Sequence, residues 1–279
     1  MHVSSGISFE PEVSPFKTIF VDVTHRCNMT CHNCYVPNRS IPDMDADWLR
    51  PILKRLPRRT LIRLVGAEPT MRRDLPDLIR MVRATGHQPT ILTNGLACAK
   101  RSYTTKLKGA GLRSIYLSMN GGLSDRLYLA MDDMACAKRK LAALDNLCAE
   151  NMRVLVGINL APGVNDDHLG EFWRYLTQRP EVRCVHLRSI GPMGRHMQGP
   201  AFTLDRLVEL ARKHIGLKQC HLDAATRSGN TIDTFIGPMQ LHITQWPDLG
   251  STTRGRLTPT GSLEPFFEHV ILNAAQGGY

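Results

Sequence analysis

Six short apolar runs alternate with helix-length stretches across the first two thirds of the chain. This alternation limits the fold more than any other feature of the sequence. The runs are 18–23, 61–65, 89–93, 114–118, 154–159 and 183–188, each rich in β-branched residues and bounded by turn formers. Between them, 42–53, 75–84, 100–110, 137–150 and 167–178 carry helical patterns, the first with an Asp placed to cap it. Strands that alternate with helices pair in parallel, because the helix supplies the crossover. The expected class is therefore α/β, either an open doubly wound sheet or a barrel or partial barrel. In all of these the ligand site lies beyond the carboxyl ends of the strands.

The residues that close the strands are informative as a set. After the first strand come Cys27, Cys31 and Cys34, spaced C-x3-C-x2-C, and after the second Gly66-Ala67-Glu68-Pro69-Thr70. The third closes on Thr93-Asn94-Gly95, the fourth on Ser118-Met119-Asn120-Gly121, the fifth on Asn159 and the sixth on Arg188-Ser189. Three thiolates without a fourth cysteine nearby suit an iron–sulfur cluster with one open coordination position, since such clusters normally take four. A zinc site completed by His25 or His32 is the alternative, with no second C-x2-C to support it. A disulfide with a spare thiol is the weakest reading, because the first residues lack a basic and then apolar leader.

The triplet, followed by Tyr35, resembles the signature of the radical S-adenosylmethionine (radical SAM) enzymes, and Gly66-Ala67-Glu68-Pro69 resembles their Gly-Gly-Glu-Pro motif. The resemblance spans roughly residues 16 to 190. It implies a (β/α)6 partial barrel. Cys27, Cys31 and Cys34 would hold one [4Fe-4S] cluster whose fourth iron chelates S-adenosyl-L-methionine, and Gly66 to Pro69 would contact the cofactor's amino group. Ala67 replaces the second glycine, and a positive φ there would strain it. Asn94, Ser118, Asn120, Asn159 and Arg188 occupy positions where related enzymes contact the ribose, the methionyl carboxylate or the substrate. The implied activity is reductive cleavage of the cofactor to a 5′-deoxyadenosyl radical that abstracts hydrogen, fed by a flavodoxin or ferredoxin-type reductant. A redox sensor without turnover, or a zinc module binding nucleic acid, would be the competing classes.

Past residue 190 the alternation stops. A turn-rich segment at 191–195, a helix over 204–215, a strand over 239–244 and a hairpin over 256–266 turning near Thr260-Gly261 suggest a small α+β cap over the barrel mouth. Residues 1–16 read as an amino-terminal extension, 17–190 as the core and 191–279 as the cap. The hairpin resembles the entry to the auxiliary-cluster region of some radical SAM maturation enzymes. Phe266 stands where a cysteine would be, so a single cluster is expected, with a small-molecule or short-peptide substrate. A carbon radical can be quenched by a thiol, which makes Cys184 and Cys220 candidate hydrogen donors.

Of 279 residues 42% are hydrophobic and 22% charged, and no apolar run reaches the roughly 18 residues of a membrane span. A cytoplasmic enzyme is expected. The net charge of +10 suits anionic partners, but Arg58-Arg59 and Lys138-Arg139-Lys140 read as solvated helix faces or ends, not as a nucleic-acid patch.

Overall fold

The computed structural model describes residues 8–34, 36, 39–190, 201–246, 253–259 and 261–266. Tyr35, the 191–195 turn segment and Thr260 lie outside them. Among the described residues eleven strands form one sheet: β1 (Thr18–Thr24), β2 (Leu61–Gly66), β3 (Gln88–Thr93), β4 (Ser114–Ser118), β5 (Arg153–Leu160), β6 (Val182–Ser189), β7 (Thr226–Ser228), β8 (Thr231–Ile236), β9 (Met239–Thr244), β10 (Arg254–Leu257) and β11 (Leu263–Pro265). Their order is β11-β10-β1-β2-β3-β4-β5-β6-β9-β8-β7. The run from β10 through β1 to β6 and on to β9 is parallel throughout. Antiparallel partners flank it, β11 on one side and β8 then β7 on the other.

The helices are α1 (Ala46–Arg55), α2 (Leu75–Ala84), α3 (Arg101–Gly109), α4 (Asp125–Asp132), α5 (Ala137–Ala149), α6 (Leu169–Thr177), α7 (Leu204–Ile215) and α8 (Gln219–Asp223). Local chemistry sets their ends. Asp45 caps α1 by accepting from the Asp47 N–H at 2.8 Å. Thr203 caps α7, which ends on Gly216 in the left-handed region. Each helix buries one stripe: in α2, Leu75, Leu78, Ile79 and Val82 are all at most 1% exposed, spaced as one face of a 3.6-residue period. Opposite them lie Ile19, Val21, Ile62, Leu64 and Ile91 of the strands, in one continuous core.

The carboxyl-terminal segment differs from the expected cap. Its strands add to both sides of the same sheet, β9 in parallel beside β6 and β10 in parallel beside β1. The reason is the pattern of β9 itself. Met239, Leu241 and Ile243 alternate as buried residues, and α7 packs on both β6 and β9, so β6, α7 and β9 make one more crossover unit. No helix among the described residues is long and apolar enough to cross a membrane.

Candidate functional site

The site begins where β1 ends. A register irregularity between Asp22 and Thr24 brings Gly66 of β2 beside Thr24. Gly66 has φ +148°, and a Cβ there would lie 1.8 Å from the Thr24 carbonyl oxygen. Only glycine admits this approach. Ala67 is not among the residues with positive φ, so the substitution in the motif costs no strain; the demand falls on Gly66. The Ala67 and Glu68 N–H groups donate back to the Thr24 and Arg26 carbonyls, both at 2.9 Å, and so pin the start of the cysteine loop.

The loop is held from two more sides. Asn94 donates to Asn28 at 2.8 Å. Thr30 donates to Asp133 at 2.9 Å, the His32 ring meets the Ala130 carbonyl at 2.9 Å, and the His32 N–H donates to the Met131 carbonyl. Thus α4, which the sequence reading does not contain, is the platform on which the loop rests. Cys27, Cys31 and Cys34 then line one cavity together with Gly66, Ala67, Asn94, Ser118, Asn120, Asn159 and Arg188. The space it encloses, with the open mouth included, is ≈ 1280 Å³.

Two of the thiols accept hydrogen bonds. The Met29 N–H donates to the Cys27 sulfur at 3.4 Å and the Arg39 guanidinium to the Cys34 sulfur at 3.3 Å, the kind of contact that tunes a cluster's potential. Among the described residues no group of three His, Cys, Asp or Glu side chains is gathered tightly enough for a single metal ion. Of the two histidines weighed as a zinc ligand, His25 and His32, the ring of His32 is turned to the Ala130 carbonyl. Burial pushes the Cys27 and Cys31 thiols up, Asp132 adding to the effect at Cys31 and Lys140 opposing it.

Glu68 and Pro69 are not in the cavity wall. Glu68 is 1% exposed, and its carboxylate accepts from the Thr70 N–H and hydroxyl, the Thr93 hydroxyl and the Asn94 N–H at 2.6–3.0 Å. Burial pushes its carboxyl up while these donors pull it down. Glu68 ties the rim of β2 to that of β3.

The opposite rim is one hydrogen-bonded network. Asn120 donates to Asp132 at 2.8 Å and accepts from the Asn159 N–H at 2.9 Å. Arg188 donates to the Asn159 side chain at 3.0 Å. Lys140 donates to the Ser118 carbonyl at 2.9 Å and pairs with Asp132 at 3.3 Å, both 1% exposed. Lys140 therefore leaves the solvated face expected of Lys138-Arg139-Lys140; only the other two are exposed. Its spacing from Ala137, Ala143, Leu144 and Leu147 on the buried face of α5 was the available signal.

The cavity is also lined by residues the sequence did not single out: Phe20, Arg63, Tyr116, His186, Thr244, Trp246, Arg254 and Phe266. Tyr116 reaches His186 at 3.2 Å, and His186 reaches Thr244 at 3.0 Å. Gly157 makes the first contact possible, since a Cβ there would lie 2.1 Å from the Tyr116 hydroxyl. Burial, with His242 and three arginines nearby, holds His186 well below the usual imidazole range. Cys184, buried in β6, and Cys220, exposed on α8, do not line the cavity. Burial pushes the Cys184 thiol up to about 12.

The family profile described as Radical SAM superfamily matches residues 21–176. Over 185 residues the chain is 31% identical to 7,8-dihydro-6-hydroxymethylpterin dimethyltransferase of Methanocaldococcus jannaschii, covering 63% of the chain and 36% of that protein. Over 239 residues it is 28% identical to GTP 3',8-cyclase of Photorhabdus laumondii, covering 80% and 69%. The chain thus spans about a third of the first relative's length. Among solved structures, Streptococcus suis SuiB bound to its precursor peptide SuiA superposes with a TM-score of 0.69 at 14% identity, over 95% of this chain and 62% of that one. The enzyme anSMEcpe with bound AdoMet and the Kp18Cys peptide superposes with 0.57 at 13%, over 71% and 59%. At these identities the two structures speak for the fold alone.

Proposed function

Because the chain belongs to the radical SAM superfamily, we propose that Cys27, Cys31 and Cys34 hold one [4Fe-4S] cluster and that S-adenosyl-L-methionine binds across the adjoining rim. When bound, this pair supplies one-electron reductive cleavage of the sulfonium and a 5′-deoxyadenosyl radical able to take hydrogen from an unactivated carbon. The observation that carries the reading is the convergence of all three cysteines with Gly66, Ala67, Asn94, Ser118, Asn120, Asn159 and Arg188 on one cavity.

The chain's own residues bind, orient and exclude water. Gly66 lets the β2 rim close on β1, and Glu68 fixes the Asn94 backbone from beneath. The Asn120–Asn159–Arg188 network holds its polar side chains in place, with Asp132 and Lys140 buried behind it. The sheet is the partial barrel, and the segment after residue 190 completes its wall through Trp246, Arg254 and Phe266. The substrate is a small or medium-sized metabolite or short peptide of a biosynthetic pathway, held in the same cavity. A flavodoxin or ferredoxin-type carrier supplies the electron, and the net charge of +10 suits an acidic one.

The test is anaerobic protein reduced with dithionite and incubated with S-adenosylmethionine, with 5′-deoxyadenosine followed by chromatography. Production that is lost in Cys31→Ala supports the reading. Zinc in place of iron in such a preparation contradicts it.

A further inference from the structure

We propose that Asn165, in the turn between β5 and α6, is a positioning residue for the cofactor-facing rim. It sets the affinity for S-adenosylmethionine by holding Asn120 and Asn159 in one arrangement, without touching the cofactor itself. This rests on the reading that the cofactor binds across that rim.

Local geometry delivers Asn165 to the rim. The Val164 N–H donates to the Ala161 carbonyl at 3.1 Å and Gly163 takes φ +70°, so the chain turns back directly after β5. Asn165 is 4% exposed, and its side chain meets backbone on every side. Its Oδ1 accepts from the Ala161 N–H, and its Nδ2 donates to the Asn120 and Asn159 carbonyls, each at 2.8 Å. Those carbonyls belong to the ends of two paired strands: Asn120 lies two residues beyond β4, and Asn159 is the last but one residue of β5. One amide thus spans two strand ends, as the Glu68 carboxylate does for β2 and β3.

The cavity-lining side chains hang on the same two residues. Asn120 accepts from the Asn159 N–H at 2.9 Å and donates to Asp132 at 2.8 Å, and the Asn159 side chain accepts from Arg188 at 3.0 Å. Asn120, Asn159 and Arg188 line the cavity and Asn165 does not. A displacement at Asn165 therefore reaches three cavity-lining side chains through the backbone that carries two of them.

The arrangement selects an amide. It asks one short side chain for two donors toward carbonyl oxygens and one acceptor toward an N–H. Aspartate has the same shape but, ionised, only accepts, and would set a carboxylate oxygen against two carbonyl oxygens. Serine keeps a single O–H and can serve only one of the two carbonyls.

The experiment is calorimetric titration of the anaerobic, cluster-loaded, oxidised protein with S-adenosylmethionine, which is not cleaved while no electron is supplied. The proteins compared are the wild type, Asn165→Asp, Asn165→Ser and a control, Thr60→Val. The control removes a buried hydroxyl bond to the Pro57 carbonyl, 2.6 Å long, just before β2 and so at the opposite end of the parallel strands from the rim. Affinity is expected to fall about tenfold or more in Asn165→Asp and by less in Asn165→Ser, and to stay within about twofold of the wild type in Thr60→Val. Hydrogen exchange followed by mass spectrometry on the same preparations is expected to quicken in the peptides carrying Asn120 and residues 159–165 in the Asn165 variants alone. Wild-type affinity in both Asn165 variants, an equal loss in Thr60→Val, or unchanged exchange in those peptides would overturn the proposal; if Asn165→Asp does not fold, Asn165→Ser decides it. A wild type that does not bind S-adenosylmethionine would bring down the cofactor reading and this proposal together, whereas tight binding shared by the wild type and the Asn165 variants faults this proposal alone.

Discussion

Exchanging Glu68 for glutamine separates a clamp from a cofactor contact. In the wild type one carboxylate oxygen accepts from the Thr70 N–H at 3.0 Å, the Thr70 hydroxyl at 2.6 Å and the Thr93 hydroxyl at 2.7 Å; the other accepts from the Asn94 N–H at 2.7 Å. Glutamine keeps one acceptor oxygen. With that oxygen among the threonines, its NH2 faces the Asn94 N–H; reversed, it faces the Thr70 N–H. Either way one backbone donor loses its acceptor; in the first orientation an amide donor does too, whereas in the reversed one a threonine hydroxyl can turn to accept it. At about 1–3 kcal/mol for each buried unsatisfied donor, the loss is roughly 1–6 kcal/mol. A loss of about 2 kcal/mol is expected, because Asn94 is half-buried and water can reach it. With a urea slope of about 3 kcal/mol/M for a chain of this size, the unfolding midpoint falls by about 0.7 M. The assay is urea unfolding of the Glu68→Gln protein followed by circular dichroism, alongside its affinity for S-adenosylmethionine. A midpoint within about 0.2 M of the wild type together with lost cofactor affinity would refute the reasoning, because Glu68 would then be touching the cofactor and not holding the two rims.

Three further outcomes follow from the same geometry. Gly66→Ala places a methyl 1.8 Å from the Thr24 carbonyl oxygen and is expected to cost more than about 2 kcal/mol, while Ala67→Gly costs only about 0.5–1 kcal/mol; equal melting temperatures for the two variants would contradict this. Lys140→Met leaves Asp132 buried and unpaired, at about 3–5 kcal/mol, and adding Asp132→Asn recovers part of the loss in urea unfolding; no recovery would mean that the pair does not act as a pair. His186 gives a pH dependence. An unfolded histidine takes up its proton near pH 6.5, and His186 holds its own proton affinity well below that. It contributes nothing to the pH slope at pH 7 and above; as the pH falls below 6.5 the unfolded state binds a proton that the folded state refuses, and up to about 1.4 kcal/mol is lost per pH unit. His186→Gln should flatten the fall in melting temperature between pH 7 and 5.5, and an unchanged slope would count against a neutral buried ring.

The alternation of strand and helix through residue 189 was readable because each element carries its own local period and ends, such as Asp45 before α1 and the alternating apolar residues of β2 and β5. What followed was not, because the pairing of β10 with β1 joins residues more than 230 positions apart and no turn chemistry announces it. Local reading found the β10–β11 hairpin but not the strand it lies beside. Helix α4 has eight residues with Leu127, Tyr128 and Met131 on its buried side, too short a stretch for periodicity to declare itself, and with it went the platform under the cysteine loop. Lys140 was hidden in a basic run whose two other members are solvated. At the site, strand ends converge by topology, so Asn94, Ser118, Asn120, Asn159 and Arg188 could be collected from sequence as rim residues. Glu68 could not be told apart from them, since whether a carboxylate faces the cavity or the wall depends on where Thr93 and the Asn94 N–H come to lie. The inward positions below the rim, Arg63, Tyr116 and His186, belong to no motif and emerge only when the strands are set in register.

The central claim is that three cysteines hold a four-iron cluster with one iron left for S-adenosylmethionine. The most direct measurement is electron paramagnetic resonance of the anaerobically purified, dithionite-reduced protein before and after addition of the cofactor. The account predicts the signal of a reduced [4Fe-4S] cluster whose g-values shift when S-adenosylmethionine binds the open iron. A cluster signal that the cofactor leaves unchanged, or iron absent from otherwise folded protein, would contradict it.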